Sequence, residues 1–383
     1  MQKRFTPDAG GMFPEWEEVE FGKLFQRRSE KNGEEFGVDK TISVATMYFK
    51  PEGNKADEKS LPRYKVMRTG DIAFEGHINK HFKHGRFVLN NIGDGIISPI
   101  FEVLQPVSEL SKEVPEFWKY YINYEPVMGK ILAKCANTGI MMNRLAIKDF
   151  YKQKIKVPCI EEQRKIAAAL AAYDEMIAVK TAKLETWQEC KKRMVKEIFG
   201  RTKRFKDDDG MEFPEWEEKT LGTVVSITTG KLNANEMVDG GQFDFYTSGV
   251  DVFKIDKAAF NGPAITVAGN GANVGCLHLA DGKFNAYQRT YVLQDFLACR
   301  EYIYAAIEVK LPNVIKKYKR GSAIPYIIMD MLADLKIPLP CMEEQQKIGS
   351  FLAEIDKEIQ IQKEFIKTYA EGKKRMMREL MEG

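Results

Sequence analysis

The feature that most constrains this chain is that it contains its own plan twice. The run Phe13, Pro14, Glu15, Trp16, Glu17, Glu18 returns residue for residue as Phe213 to Glu218, 200 positions on, and Gly22 returns as Gly222. A second border repeats at an offset of 182: PCIEEQRKI (Pro158 to Ile166) matches PCMEEQQKI (Pro340 to Ile348). With it, Lys191, Lys192, Arg193, Met194 match Lys373, Lys374, Arg375, Met376. A repeat of this period means two structural units of one ancestry. The offsets of 200 and 182 differ by 18, so the stretch between borders is 18 residues longer in the first copy. At 383 residues the chain has length for two or three domains with real cores.

Each stretch after PC(I/M)EEQ carries the marks of a long helix. Proline precedes the start, two glutamates fill the first turn, basic residues gather near the end, and Gly200 or Gly383 supplies the stop. Alternate steps of four and three from Ile166 reach Leu170, Tyr173, Ile177, Lys180, Leu184, Trp187, Lys191, Met194 and Ile198. From Ile348 they reach Leu352, Ile355, Ile359, Gln362, Ile366, Tyr369, Lys373, Met376 and Leu380. Eight of ten positions are apolar in each copy and the polar interruptions coincide, which is a heptad seam. Pairing the two helices on each other buries both stripes. An antiparallel pair fits the connectivity and puts one module at each end. The seam would rise about 48 Å at 1.5 Å per residue, roughly 14 base pairs of duplex.

Between the borders, short apolar runs punctuated by glycine predict strands, as at Gly70 to Phe74, Gly95 to Leu104, Ala264 to Ala268 and Gly275 to Leu279. A helical patch closes each module, at Pro115 to Lys134 and Cys299 to Lys319, so the modules are α/β (α+β) in content. Basic residues concentrate here. Arg63, Lys65, Arg68, Lys80, Lys83 and Arg86 share one window with His77, His81 and His84, and Lys316, Lys317, Lys319 and Arg320 share another. Local positive charge is what phosphate contacts require, although charge reads no sequence. Base edges are read by amides and guanidinium groups on rigid loops, and Asn270, Asn273, Gln288 and Arg289 beside Gly269 and Gly271 offer that chemistry. The three histidines have a spacing that one helix face could turn toward a metal, but Gly76 and Gly85 disfavour a regular helix.

Several classes are disfavoured. No apolar run approaches the roughly 20 residues of a membrane span, and the amino terminus lacks the pattern of a secretory signal. The six cysteines lie far apart without a CxxC pair, which suits a reducing cytoplasm. A formal charge of +3 decides nothing about partners. The chain has no GxxxxGK(S/T) loop, no GxGxxG after a strand, and no adjacent prolines such as an amino-methyltransferase loop contains. An ExK tripeptide at Glu308, Val309, Lys310 lacks an upstream Pro-Asp partner nearby. We therefore expect no catalytic residues and no metal. The rival to DNA recognition is a coiled-coil scaffold whose repeated domains bind proteins or glycans.

The duplicated FPEWEE lead-in, the PC(I/M)EEQ(R/Q)KI helix starts and the KKRM helix ends together resemble the specificity subunits of type I restriction-modification systems, over nearly the whole chain. The resemblance implies two globular target recognition domains separated by an antiparallel coiled coil of two long helices, in a pseudo-twofold internal repeat. The implied limits are 1–158 for the first domain, 159–200 for the first helix, 201–340 for the second domain and 341–383 for the second helix. It implies that each domain reads half of a bipartite target in double-stranded DNA while the helices set the unread gap. It also implies two modification (methyltransferase) subunits and restriction (translocase/endonuclease) subunits as partners. Those would carry S-adenosylmethionine, ATP and Mg, leaving this chain without a cofactor. Glu161, Glu162, Gln163 and Arg164, with Glu343, Glu344 and Gln345, occupy the helix starts expected near the modification-subunit interface.

Overall fold

The computed structural model describes residues 4–50, 58–139, 142–318 and 325–381. They form two compact units: the first is Met1–Val179 with Phe365–Gly383, the second Lys180–Glu364. Each unit thus takes half of each long helix, α3 (Ile160–Phe199) and α5 (Met342–Met381).

In unit one, strands β2 (Phe25–Arg27), β3 (Ile72–Glu75), β4 (Arg86–Leu89) and β5 (Glu102–Pro106) make an antiparallel sheet in the order β2-β5-β3-β4. In unit two, β8 (Ser226–Thr229), β9 (Ala264–Ala268), β10 (Leu277–Ala280) and β11 (Thr290–Gln294) repeat that order as β8-β11-β9-β10, again antiparallel. A two-stranded ribbon accompanies each sheet: β1 (Glu17–Glu20) with β6 (Lys154–Val157), and β7 (Glu217–Thr220) with β12 (Lys336–Leu339). Their registers correspond, Glu17 opposite Val157 and Glu217 opposite Leu339. The added sheets differ. Among the described residues unit one carries three small ribbons, and unit two a four-stranded sheet containing one parallel pairing. Divergence has been confined to what hangs on the shared frame.

The apolar run Gly95 to Leu104 resolves into two strands, Gly95–Ile97 and β5, because Pro99 cannot continue a ladder. The first helical patch breaks into α1 (Pro115–Tyr121) and α2 (Glu125–Cys135), with Pro126 in the opening turn of the second. Its counterpart is one helix, α4 (Arg300–Tyr318). The repeated glycines have a packing reason: a Cβ on Gly22 would press on Tyr151, and one on Gly222 on Ala333.

Each lead-in segment is tied to a long helix by one buried carboxylate. Glu162 is 1% exposed and accepts hydrogen bonds from Arg4 Nε (3.0 Å), Arg4 Nη2 (2.7 Å) and Trp16 Nε1 (3.1 Å). Glu344, 0% exposed, accepts from Arg204 Nε (3.3 Å), Arg204 Nη2 (2.9 Å) and Trp216 Nε1 (2.8 Å). Both arginines also donate to a proline carbonyl, of Pro14 and Pro214. Behind each indole a tyrosine stacks edge-on, Tyr121 and Tyr302, and donates to a strand carbonyl, of Lys156 and Pro338.

Within each unit α3 and α5 pack antiparallel. Tyr173 meets Tyr369 and Asp174 pairs with Lys373 in unit one. In unit two Lys191 pairs with Asp356 at 2.8 Å and with Glu308 at 2.6 Å. These helix-to-helix ion pairs are images of each other under the 182-residue offset. Burial would push the Asp174 carboxyl up, but hydrogen bonds from Lys373 and Tyr120 outweigh it and hold it below the ordinary aspartate range. Burial also works against the Lys191 ammonium, yet Glu308 and Asp356 outweigh it and raise its pKa. The end of α3 departs from expectation. The left-handed residue there is Arg201 (φ 59°), one beyond Gly200, and its guanidinium lies over the Trp216 ring.

Two outcomes follow. Glu162→Gln and Glu344→Gln each take the buried anion from a part-buried arginine and a buried indole, so each should lower unfolding free energy by about 2–3 kcal/mol. Urea denaturation showing less than about 0.5 kcal/mol for either would remove the carboxylate from its role. Because the folded Asp174 pKa is depressed, its contribution is present above the unfolded value and lost as pH falls. The melting-temperature gap between wild type and Asp174→Asn should therefore be widest above about pH 5 and close as pH falls below about 4, through the depressed folded pKa.

Candidate nucleic-acid interface

Of the residues singled out in the sequence for DNA contact, Lys80, His81, Lys83 and His84 lie on the hairpin loop of β3–β4, Asn270 and Asn273 on that of β9–β10, and Gln288 and Arg289 on the turn entering β11. In unit one the loop 76–85 is entered and left by glycines because nothing larger fits. A Cβ on Gly76 would lie 2.0 Å from the Asn143 carbonyl oxygen, and Gly85 has φ +87° with the Glu75 carbonyl 2.8 Å from its would-be Cβ. Asn79 Oδ1 accepts the backbone N–H of His81 (2.8 Å) and Phe82 (3.0 Å), shaping the tip and leaving Lys80, His81 and Lys83 exposed. His77, His81 and His84 therefore stand on a hairpin loop instead of a helix face, and among the described residues no His, Cys, Asp and Glu group is placed to hold a metal.

Other basic residues of this window are spent inside the unit. Arg68 pairs with Glu35 (2.7 Å), Asp94 (3.2 Å) and Glu30, and lies over the Phe36 ring. Glu35 first, then Glu30, hold its pKa far above the ordinary arginine value. Lys65 Nζ donates to the Phe101 carbonyl at 2.6 Å, and its pKa is lowered by burial. Arg86 is held by Glu75 at 2.8 Å and by the Ala45 carbonyl, under the Phe82 ring. Arg63 is exposed at the end of the turn Glu58–Arg63, and His84 is half-buried.

In unit two the loop 269–276 is braced from two sides. Gly269 donates to the Arg289 carbonyl and accepts from Ile327 N–H, and a Cβ there would lie 2.4 Å from the Arg289 oxygen. Gly271 (φ +86°) donates to the Pro325 carbonyl. Asn270 Oδ1 accepts from Ser248 Oγ at 2.7 Å, and Gln288 Nε2 donates to Asn233 Oδ1 at 3.1 Å. Asn273, Gln288 and Arg289 are exposed, as are Lys316 and Lys317 in the last turn of α4. The structure thus assembles Asn270, Gln288 and Arg289 around Gly269, while Lys319 and Arg320 lie outside the described residues.

The helix starts divide in the same way. Glu162, Gln163, Glu344 and Gln345 are buried: the glutamates hold the lead-in arginines, Gln163 Nε2 donates to the Pro158 carbonyl, and Gln345 spans the Pro340 carbonyl and Cys299 N–H. Glu161 and Glu343 are exposed, and Arg164 is exposed beside Glu113. Those three are the side chains of the set that a partner could touch.

Sequence reasoning missed the segments that brace the loops, Met142 to Arg144 and Pro325 to Ile327. Asn143 N–H donates to the Gly76 carbonyl as Ile327 N–H donates to Gly269. Arg144 and Tyr326 are exposed beside them. Their one signal was position, between the helical patch and the border in both copies.

Comparison with known proteins decides the family. Residues 101–186 and 214–368 match the family model described as the type I restriction modification DNA specificity domain. The chain belongs to that family. Membership makes this a DNA-sequence specificity subunit and favours DNA over a protein- or glycan-binding scaffold. The chain is 35% identical over 146 residues to the type I restriction enzyme EcoDI specificity subunit of Escherichia coli. That match covers 37% of this chain and 32% of the relative, so it spans about a third of that protein's length. It is 25% identical over 327 residues to the MjaVIII specificity subunit of Methanocaldococcus jannaschii, covering 76% and 74%. The crystal structure of the type I restriction-modification S subunit from M. genitalium superposes with a TM-score of 0.70 at 15% identity over 98% of both chains, a likeness of fold.

For this specificity subunit, Lys80→Ala with Lys83→Ala should weaken binding to every duplex alike and reduce the slope of log K against log[salt] by roughly one for each phosphate no longer neutralised. Arg68→Ala should instead lower the melting temperature of the protein. Equal salt slopes for wild type and the double variant would take the hairpin tip off the phosphate backbone.

Proposed function

We propose that each unit reads one half of a bipartite, asymmetric DNA target and that the α3/α5 pair sets the unread gap. The observation that carries this reading is one frame bearing two loop sets of different chemistry. The same strand order and the same buried clasp present Lys80, His81 and Lys83 in unit one, and Asn270, Gln288 and Arg289 in unit two. Two readers of common mounting and unlike side chains suit two half-sites of unlike sequence.

Chemistry then belongs to other subunits. Two modification subunits would bring S-adenosylmethionine and take the target adenine out of the stack. Restriction subunits would bring ATP, Mg and cleavage. This chain contributes placement, and works in the cytoplasm. Among the described residues no helix is long and apolar enough to cross a membrane. Glu161, Arg164 and Glu343, exposed at the helix starts, support docking of the modification subunits there.

A seven-residue insertion in both helices, at positions related by the 182-residue offset, tests the reading. It lengthens the seam by about 10 Å, or roughly three base pairs. Methylome sequencing of cells carrying the assembled enzyme should show a longer gap between unchanged half-sites. An unchanged gap sinks the spacer role, and altered half-sites sink the assignment of reading to the units.

A further inference from the structure

Asn143 is one of seven described residues whose buried side-chain oxygen has no hydrogen-bond partner. The others lie within strands, on the long helices or under loops, whereas Asn143 lines a cleft of about 960 Å³ in unit one beside the hairpin loop. The residue is 4% exposed. Its backbone is pinned by the N–H bond to the Gly76 carbonyl, at a point where Gly76 admits no side chain. Around it stand Arg144, His77 with its Nδ1 3.2 Å from Glu75, and the apolar lip of Pro99 and Ile100. A buried carbonyl oxygen left unpaired is costly, and one held on a rigid mount beside a cleft wants its donor from a ligand.

We propose that Asn143 is a specificity-determining residue whose side-chain oxygen accepts the exocyclic amino group of an adenine or cytosine in the half-site read by unit one. The proposal rests on the half-site reading above and names one base contact within it. In the major groove only adenine N6 and cytosine N4 offer a donor; guanine offers acceptors, and thymine an acceptor and a methyl group. The Asn143 oxygen therefore selects amino-bearing bases, and where the base is adenine the Nδ2 of the same amide can donate to its N7. The oxygen is covered by its neighbours, so the contact forms as side chains at the cleft turn aside for the DNA. In unit two the residue that bonds the loop glycine is Ile327, whose side chain carries no acceptor. The two half-sites are thus held to different rules at matching places.

The test uses the full chain assembled with its modification subunits and a library of duplexes randomised within the target. Wild type should demand adenine or cytosine at one position of one half-site. Asn143→Leu should flatten that preference by about tenfold to a hundredfold, leaving other positions and the second half-site unchanged. Asn143→Asp, which keeps the acceptor, should retain the preference. A probe base lacking the amino group should weaken binding to wild type and make no further difference to Asn143→Leu. Because the leucine removes an unpaired polar atom, its melting temperature should not fall. Full preference surviving in Asn143→Leu would overturn the assignment alone, as would equal loss for all sequences with a lowered melting temperature. Asn270→Ala, in unit two, serves as the control for the underlying reading. If it disturbed the same half-site as Asn143→Leu, or if wild type showed no split preference, the half-site reading itself would fall.

Discussion

One carboxylate per unit holds the architecture in place. Glu162 and Glu344 are removed from water, which costs several kcal/mol for an isolated charge, and each is neutralised by a guanidinium and an indole N–H. The arginine fork meets both carboxylate oxygens, so the bond fixes direction as well as distance. It thereby sets where the lead-in segment crosses the helix start and where the β1–β6 or β7–β12 ribbon begins. The tyrosine behind each indole then anchors the ribbon from its other side. Removing either anion would leave a partly buried arginine with a proline carbonyl and the exposed Glu15 or Glu215 among its remaining partners.

With the frame held by few contacts, the loops are released from structural duty. The four-stranded sheets repeat their order, and what differs is the set of side chains on the hairpin loops and the accessory strands beneath them. A glycine opens both loops because a backbone carbonyl approaches within a distance no Cβ tolerates, so the mount is rigid while the tip varies. Rigidity matters to reading, since a base-edge contact discriminates only when the group is held at hydrogen-bond geometry before DNA arrives.

Much of this frame was legible in the sequence, and the reason is physical. Heptad spacing is a local signal that survives without knowledge of the partner, so both long helices and their seam could be read from Ile166 and Ile348 onward. Repeated FPEWEE marked the border, but its purpose was hidden, because Arg4 and Glu162 stand 158 positions apart. The same blindness affected the basic residues. Arg68 looked available for phosphate until Glu30, Glu35 and Asp94 were brought to it from both directions along the chain. Lys80 and Lys83 kept the exposure that their charge suggested, with Glu125 near enough to feel Lys83 and His84. Asn143 carried no signal at all, since an unpaired buried oxygen exists only after the chain has folded around it.

The polar positions along the helix pair select one register. A uniformly apolar heptad stripe tolerates sliding by seven residues, since every layer resembles the next. Here Asp174 faces Lys373 and Lys191 faces Asp356. A slip of one heptad would set Asp174 against Ile366 or Leu380, and Lys191 against Gly349 or Lys363. Each alternative takes from Asp174 and Lys191 the partner on the facing helix, or sets Lys191 against a like charge. The two ion pairs add little net stability of their own, because burial offsets much of their attraction. Their effect is on the competing registers, which they raise in energy, so the two pairs specify the register more than they deepen its minimum.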